Sequence, residues 1–235
     1  MASFVASSQA FAALSLSLDL TEGGRLRPKA ISQFEKYMTQ QACEIKVLTK
    51  NALESDIYFS AQLNSPQSLP SYKPLMKAYA IDNHPLTMSI LVKSSTNLED
   101  LSSVQGERLA IMSHNSYLGG DLGKKLLTDA GIRLIADKIY ETGNYFGAMS
   151  LLLHGDVFIA AIPGPIARRW QGHNKLSIIA ESEVLSLGEL LFKPSIPEPM
   201  IERCIKAFSS LSKIDHRDKK MSIFPAWLAG FQVSE

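Results

Sequence analysis

The chain has 235 residues, 46% of them hydrophobic and 20% charged, with a formal net charge of +1. That length and balance describe a globular protein of one large or two small domains able to bury a full core, and exclude a disordered chain. The near-zero charge argues against a dedicated nucleic-acid binder, and no apolar run is long enough to span a bilayer.

Met1 to Ala12 is poor in charge and ends in the small-x-small pattern Ala10-Phe11-Ala12. This resembles the end of a secretory signal whose basic and apolar parts are missing, so residues 1–12 are expected to be a signal remnant, or else a plain disordered N-terminus. Leu14, Leu16, Leu18 and Leu20 alternate with Ser15, Ser17 and Asp19, the period of a half-buried strand. Pro28 opens a helix with Ile31, Phe34, Tyr37 and Met38 on one face, and Glu44 to Thr49 is the next strand. Strand, helix and strand at this spacing imply a parallel βαβ unit. Asp56 to Ser60 reads as a third strand, residues 64–71 as loop, and Lys73 to Ala78 as a brief helix. Thr87 to Lys93 is a strongly apolar strand, and Asn97 to Leu101 a short helix capped by Ser95 or Thr96.

The stretch from Arg108 to Gly131 is the most informative. Leu109 to Met112 is a short apolar strand, Ser113 to Gly120 is loop chemistry, and Leu122, Leu126, Leu127 and Ala130 recur at helical spacing before a stop at Gly131. A strand feeding a helix through Ser, Asn and Gly leaves backbone N–H groups at the helix start, and the helix dipole there favours an anion. Ser113, Ser116 and the N–H groups near Gly119 are therefore candidates for half of a small-ligand site. The competing reading is an ordinary N-cap. Further on, Arg133 to Tyr140 is weakly strand-like, Gly143-Asn144 starts a helix stopped by Gly155, and Val157 to Ile162 is a buried strand. A short helix at Ile166 to Trp170, strands at Leu176 to Ala180 and Leu190 to Lys193, and a long helix opened by Pro197 follow. A last helix near Asp218 to Phe224 and a tail over Trp227 to Val233 close the chain.

Several chemistries lack their motif. Gly119 to Gly123 encloses too few residues for a Walker loop, and no Gly-x-Gly-x-x-Gly follows the strand. His84, His114, His154, His173 and His216 form no metal spacing, and there is no Gly-x-Ser-x-Gly elbow. No enzyme activity, metal or cofactor is expected. Cys43 and Cys204 are read as two buried thiols in preference to a pair. His114 reads as solvated, and Arg25 is a possible anion contact of uncertain place.

Taken in order, these segments resemble the periplasmic phosphonate-binding protein family of ABC transporters. Ala30 to Met38 and Glu44 to Leu48 are similar to the family's opening helix and "kvelv" strand, and Asp56-Ile-Tyr-Phe-Ser60 to its "vDlaf". Leu101 to Ile111 resembles "dLkGkrva", and Ser116-Tyr-Leu-Gly119 with Leu126 to Ile132 resembles "STSG…LLkeAGI". Gly143 to Val157 looks like "gsHdaaleavlnGev", Ile178 to Ser182 like "viaeS", and Gly230 to Val233 like "gfvpv".

The resemblance implies an α/β, type 2 periplasmic-binding-protein-like fold. It would have two lobes, each a mixed mostly parallel sheet flanked by helices, with a ligand cleft between them. The lobes would be residues 13–92 with 185–235, and residues 93–184. It implies a monomeric, exported, periplasmic solute-binding protein that captures a small phosphonate- or phosphate-like anion for a membrane permease. A sensing module working with a sensor kinase is the alternative. Carried over position by position, the site comprises Tyr58 and Ser60 in the first lobe, with Gln62 nearby, and Ser113, Asn115, Ser116, Tyr117, Gly119, Asn144 and Tyr145 in the second. Four departures stand out. Leu118 replaces the second Ser of "STSG", Tyr117 its Thr, Tyr145 the family His and Phe158 the Asp of "GevDaa".

Overall fold

The computed structural model describes residues 12–19, 26–49, 54–61, 71–98, 100–212 and 221–234. Arg25, Gln62, most of the first twelve residues, the loop at 62–70 and most of the helix expected near Asp218 lie outside the described residues. The rest forms two sheets. The first has six strands in the order β11-β4-β10-β3-β1-β2, and the second five in the order β7-β6-β8-β5-β9.

In the first sheet, β1 (Leu14–Leu18) lies between β2 (Ile45–Val47) and β3 (Ile57–Ser60), parallel to both, as the βαβ reading required. Leu14, Leu16 and Leu18 enter the core, while Ser15 locks β1 to the start of β3. Its N–H and hydroxyl both donate to the Asp56 carboxylate, at 2.8 and 2.6 Å, and its hydroxyl accepts from the Asp56 N–H. Helix α1 (Pro28–Gln40) starts on its proline and buries Phe34 and Met38. Its Glu35 accepts the Val47 N–H at 3.0 Å, covering part of the β2 edge.

The core of this half is a cluster of phenylalanines. Phe34, Phe59, Phe208, Phe224 and Phe231 meet with ring centroids 5.0–6.2 Å apart, mostly edge to face. Phe208 comes from α5 (Glu198–Ser209), the helix expected after Pro197.

Three sequence expectations need correction here. Lys73 to Ala78 is no helix but the first part of β4 (Lys73–Ala80), which pairs antiparallel with β10 (Glu189–Phe192) and β11 (Leu228–Val233). Lys, Leu, Met and Ala are good helix formers, but two flanking strands override that preference. Pro74 is accommodated where the β10 register shifts between Leu190 and Leu191. The tail from Trp227 is strand β11. Cys43, just after α1, forms a disulfide with Cys204 of α5, with Cα atoms 4.9 Å apart. Both cysteines are indeed buried, but as a bonded pair.

In the second sheet, β6 (Leu109–Ile111) runs parallel to β7 (Ile139–Glu141) and β8 (Ile159–Pro163). β5 (Met88–Lys93) is antiparallel to β8 and β9 (Leu176–Glu181). By its pairing, β5 goes with the second half, whereas the sequence division at residue 92 placed most of it in the first. Every residue of β6 and β8 is buried, the signature of a sheet covered on both faces. The covering helices are α2 (Leu122–Asp129), α3 (Tyr145–His154) and α4 (Gly164–Gln171). Gly131 (φ +77°) and Gly155 (φ +85°) end α2 and α3 in the left-handed conformation expected of them. The strand expected over Arg133 to Tyr140 shrinks to the short edge strand β7. The helix expected at Asn97 to Leu101 is replaced by two 3₁₀ turns, Ser94–Thr96 and Leu101–Val104, the second capped by Asp100 rather than by Ser95 or Thr96.

The chain passes from the first sheet to the second through residues 81–87 and returns through 182–188. The two crossovers are bonded to each other, Leu185 N–H donating to Leu86 O at 2.7 Å and Ser182 N–H to Met88 O at 2.9 Å. Beside them, Glu181 at the end of β9 gathers four bonds. Arg168 of α4 holds both its carboxylate oxygens at 2.6 Å, and Thr87 and Ser89 donate to one of them at 2.9 and 2.8 Å. Burial raises the Glu181 pKa, but the bonds from Arg168, Ser89 and Thr87 and the Arg168 charge outweigh it and hold the carboxyl below its ordinary value.

Because the disulfide closes a separation of 161 residues, a Cys43→Ser, Cys204→Ser variant should lose about 2–5 kcal/mol. Its melting temperature should fall by roughly 5–15 °C, and dithiothreitol should do the same to the parent alone; equal melting of both would show that the bond adds nothing. A carboxyl with a depressed folded-state pKa contributes stability that is present above its unfolded pKa, about 4.3, and lost as pH falls through its folded value. Urea midpoints measured from pH 7 to pH 3 should therefore separate the parent from Glu181→Gln above about pH 5, and converge in the acid range.

Candidate functional site

The loops that follow the parallel strands of the second sheet lie at the crossover end, since Pro163 at the end of β8 pairs with Met88 at the start of β5. After β6 the chain folds on itself. Met112 N–H donates to Gly119 O at 2.8 Å, closing a loop over residues 113–118. Inside it, Ser116 N–H bonds to Ser113 O at 3.3 Å, and the Ser113 hydroxyl accepts from Asn115 N–H at 3.2 Å. The Ser116 hydroxyl accepts the Gly119 N–H at 2.7 Å. Tyr117–Asp121 then form a π-helical turn that runs directly into α2.

The two glycines are demanded by this tight fold. A Cβ on Gly119 would stand 2.7 Å from Met112, and one on Gly120 would stand 2.0 Å from the Ser113 carbonyl oxygen. No side chain fits either place.

After β7 a second loop lies against the first. The Thr142 N–H and hydroxyl both donate to Ile111 O, at 3.1 and 3.0 Å, and Gly143 N–H donates to Met112 O at 2.8 Å. Asn144 caps α3 by accepting the Gly147 N–H at 2.9 Å. The starts of α3 and of the turn into α2 are thereby brought side by side. Around them, His114 pairs with Glu141 at 3.2 Å, and Lys124 pairs with Asp121 at 3.0 Å. His114 is thus partnered, not merely solvated.

The expected site residues sort into three groups. Ser113 is half-buried and Asn115 and Asn144 are exposed; the Asn144 side chain is spent on the α3 cap and on Thr142 O. Ser116 is fully buried and Tyr145 is 4% exposed, and the Gly119 N–H is taken by Ser116. For Ser116 and Gly119 the N-cap reading prevails, and they shape the loop. Tyr117 is half-buried against the core.

Tyr58 and Ser60 lie in the other sheet, 8% and 5% exposed, with Ser60 at the crossover end beside Gly188. The Tyr58 ring is 6.4 Å from that of Tyr72. Burial, with the neighbouring Asp19 and Tyr72, pushes its phenol up to about 12, so it stays a neutral donor.

Two of the departures look different in three dimensions. Leu118 is fully buried, so it puts no apolar group into the cleft. Phe158 precedes β8 and its N–H bonds to Arg108 O before β6, at the end of the sheet away from the paired loops. An Asp matched to that position would not reach them. The cluster of Glu181, Arg168, Thr87 and Ser89 was not visible in the sequence, because the spacing from 87 to 181 carries no pattern.

Two lobes joined by two adjacent crossovers, with strand-end loops and helix starts at the junction, define the class of type 2 periplasmic-binding proteins. A family model described as "ABC transporter, phosphonate, periplasmic substrate-binding protein" matches residues 65–235. The chain belongs to that family of substrate-binding transport proteins. Among solved structures it is similar to PhnD1 from Prochlorococcus marinus in complex with methylphosphonate. That match has 14% identity and a TM-score of 0.61, and covers 95% of this chain and 93% of the other. It is also similar to a binding protein component of an ABC phosphonate transporter from Pseudomonas aeruginosa (11% identity, TM-score 0.56, covering 94% and 81%). A third is XAC2383 from Xanthomonas citri bound to a chloride ion (12% identity, TM-score 0.56, covering 95% and 92%). At these identities the likeness is one of fold. No curated protein sequence matches the chain.

The roles assigned to Ser116 and Gly120 differ in measurable ways. Ser116→Ala should cost about 1 kcal/mol, as the loss of an N-cap does. Gly120→Ala forces a methyl against backbone that cannot yield and should cost more, about 1–3 kcal/mol. Urea unfolding of the two variants tests this, and a neutral Gly120→Ala would contradict the loop as described.

Proposed function

We propose that this protein captures a small phosphonate- or phosphate-like anion between its two lobes and delivers it to the membrane permease of an ABC transporter, without a chemical step. The observation that carries this reading is the bonding of Thr142 and Gly143 to Ile111 and Met112, which sets two helix starts side by side. Helix starts concentrate N–H donors and positive potential, the environment a compact oxyanion needs. In this reading Ser113 and Asn115 contact the anion, Asn144 sets the N–H groups at the start of α3 toward it, Ser116, Tyr117, Gly119 and Tyr145 shape their loops, and Tyr58 and Ser60 contribute from the first lobe.

The lobes are taken as the first sheet with α1 and α5, and the second sheet with α2, α3 and α4. Residues 81–87 and 182–188 are the hinges, and closure excludes water from the bound anion. We place the protein in the periplasm as a monomer. Membership of an exported family and a buried disulfide, which belongs to an oxidising compartment, support that location. No described helix is long and apolar enough to cross a membrane.

Thermal shift with methylphosphonate, aminoethylphosphonate, phosphite, phosphate, sulfate and small carboxylates tests the reading. A true ligand at 100 times its dissociation constant stabilises by about 2.7 kcal/mol, a rise of roughly 5–10 °C for a chain of this size. The expected result is a selective shift with one phospho-anion that Ser113→Ala reduces. A flat panel would overturn the proposal.

A further inference from the structure

A cavity of about 500 Å³ opens between α4 and the turn after β4, with the first turn of α3 on its rim. Its first wall is Ile81, with Ala226 ahead of β11; its second is Phe146 at the start of α3 with Ile166, Arg169 and Trp170 of α4. The walls thus come from the two different sheets. Residues 166, 169 and 170 fall at i, i+3 and i+4 on one face of α4, and His173 and Asn174 line the cavity from the turn just past its end. Such a helix face usually packs, but this one lines an open groove. Ile166 is buried at the bottom, while Phe146 remains 47% exposed although its ring centroid is 6.1 Å from that of Trp170.

Tyr145 and Phe146 are neighbours on a helix and so point about 100° apart. Tyr145 turns into the protein at 4% exposure and Phe146 turns to the groove, so the two neighbours face different surroundings.

The chemistry of the lining is specific. Two aromatic rings inclined at 50° and two isoleucines offer an apolar pocket for a ring. Arg169 supplies a cation at its rim. The nearest acid is Asp82, 4.0 Å away, with both side chains substantially exposed. A pair of that kind is worth little, so the guanidinium is available to a better-placed anion. Asp82 and Asn83 both adopt left-handed backbone, at φ 55° and 54°, and this turn holds Ile81 against the groove. Non-glycine residues in that conformation carry strain and concentrate at functional sites. The volume lies within the range of small-molecule sites.

We propose that this groove is a second binding site, for a small organic anion with an aromatic body and a single acidic head. The ring lies against Phe146 and Trp170, and the acidic head pairs with Arg169. Because the occupant touches both lobes, it favours the arrangement in which Ile81 and α4 stand at ring thickness from each other, and so biases the hinge.

The aromatic sulfonate 8-anilinonaphthalene-1-sulfonate is a suitable probe. Its own fluorescence rises in an apolar site, so binding is read from the probe directly; Trp227 adjoins Ala226 of the groove, and tryptophan energy transfer would not single out Trp170. The expected result is saturable binding of one probe per chain, read from the probe's fluorescence, with affinity falling at least fivefold in Trp170→Ala. Phe146→Ala and Arg169→Ala should each weaken binding about tenfold without altering the melting temperature, and excess methylphosphonate should not displace the probe. Non-saturable binding, or binding indifferent to both the Phe146 and Arg169 variants, would overturn the proposal. Displacement by methylphosphonate would also overturn it, by placing the probe in the phospho-anion cleft, whereas a flat phospho-anion panel leaves this prediction standing.

Discussion

The pairing of the two crossovers is the constraint on which the molecule depends. Among the described residues the chain leaves the first sheet after β4 and returns at β10, and the two passages are hydrogen-bonded side by side through Leu86 and Leu185. The four bonds to Glu181 fix this junction to α4 and β9.

What the junction brings together follows from strand direction. β6, β7 and β8 are parallel, so their loops emerge on one side, and the helices that follow begin there. β1 and β3, also parallel, end toward the same junction from the first sheet, as Ser60 beside Gly188 shows. Open α/β sheets place their ligand sites beyond such strand ends, and here both sheets present them at one junction. The backbone bonds between the β6 and β7 loops then set the spacing of the two helix starts more closely than any side chain does.

The loop after β6 also shows how structure and recognition share residues. Ser116 and Gly119 use their polar groups on each other, and the two glycines are needed so that the chain can pass over Ser113. Conversely, Leu118 and Phe158, which read in sequence as losses from a polar site, are a core residue and a residue at the far end of β8.

The sequence by itself determined most of the second half and the βαβ opening of the first. Strict alternation in residues 14–18, Pro28 at a helix start, Gly131 and Gly155 at helix stops and the strand-loop-helix order around residue 113 are local signals, and local sterics enforce them. Position by position, it also located the loops that make up the candidate site. Tertiary structure alone decided that Lys73–Ala80 is a strand, because its pairing with β10 and β11 outweighs helix-forming side chains. It alone joined Cys43 to Cys204, set Phe146 against Trp170 and gathered Thr87, Ser89, Arg168 and Glu181. These are contacts between residues 13 to 161 positions apart or between separate strands, and no local periodicity records which distant surfaces will meet once two sheets pack together.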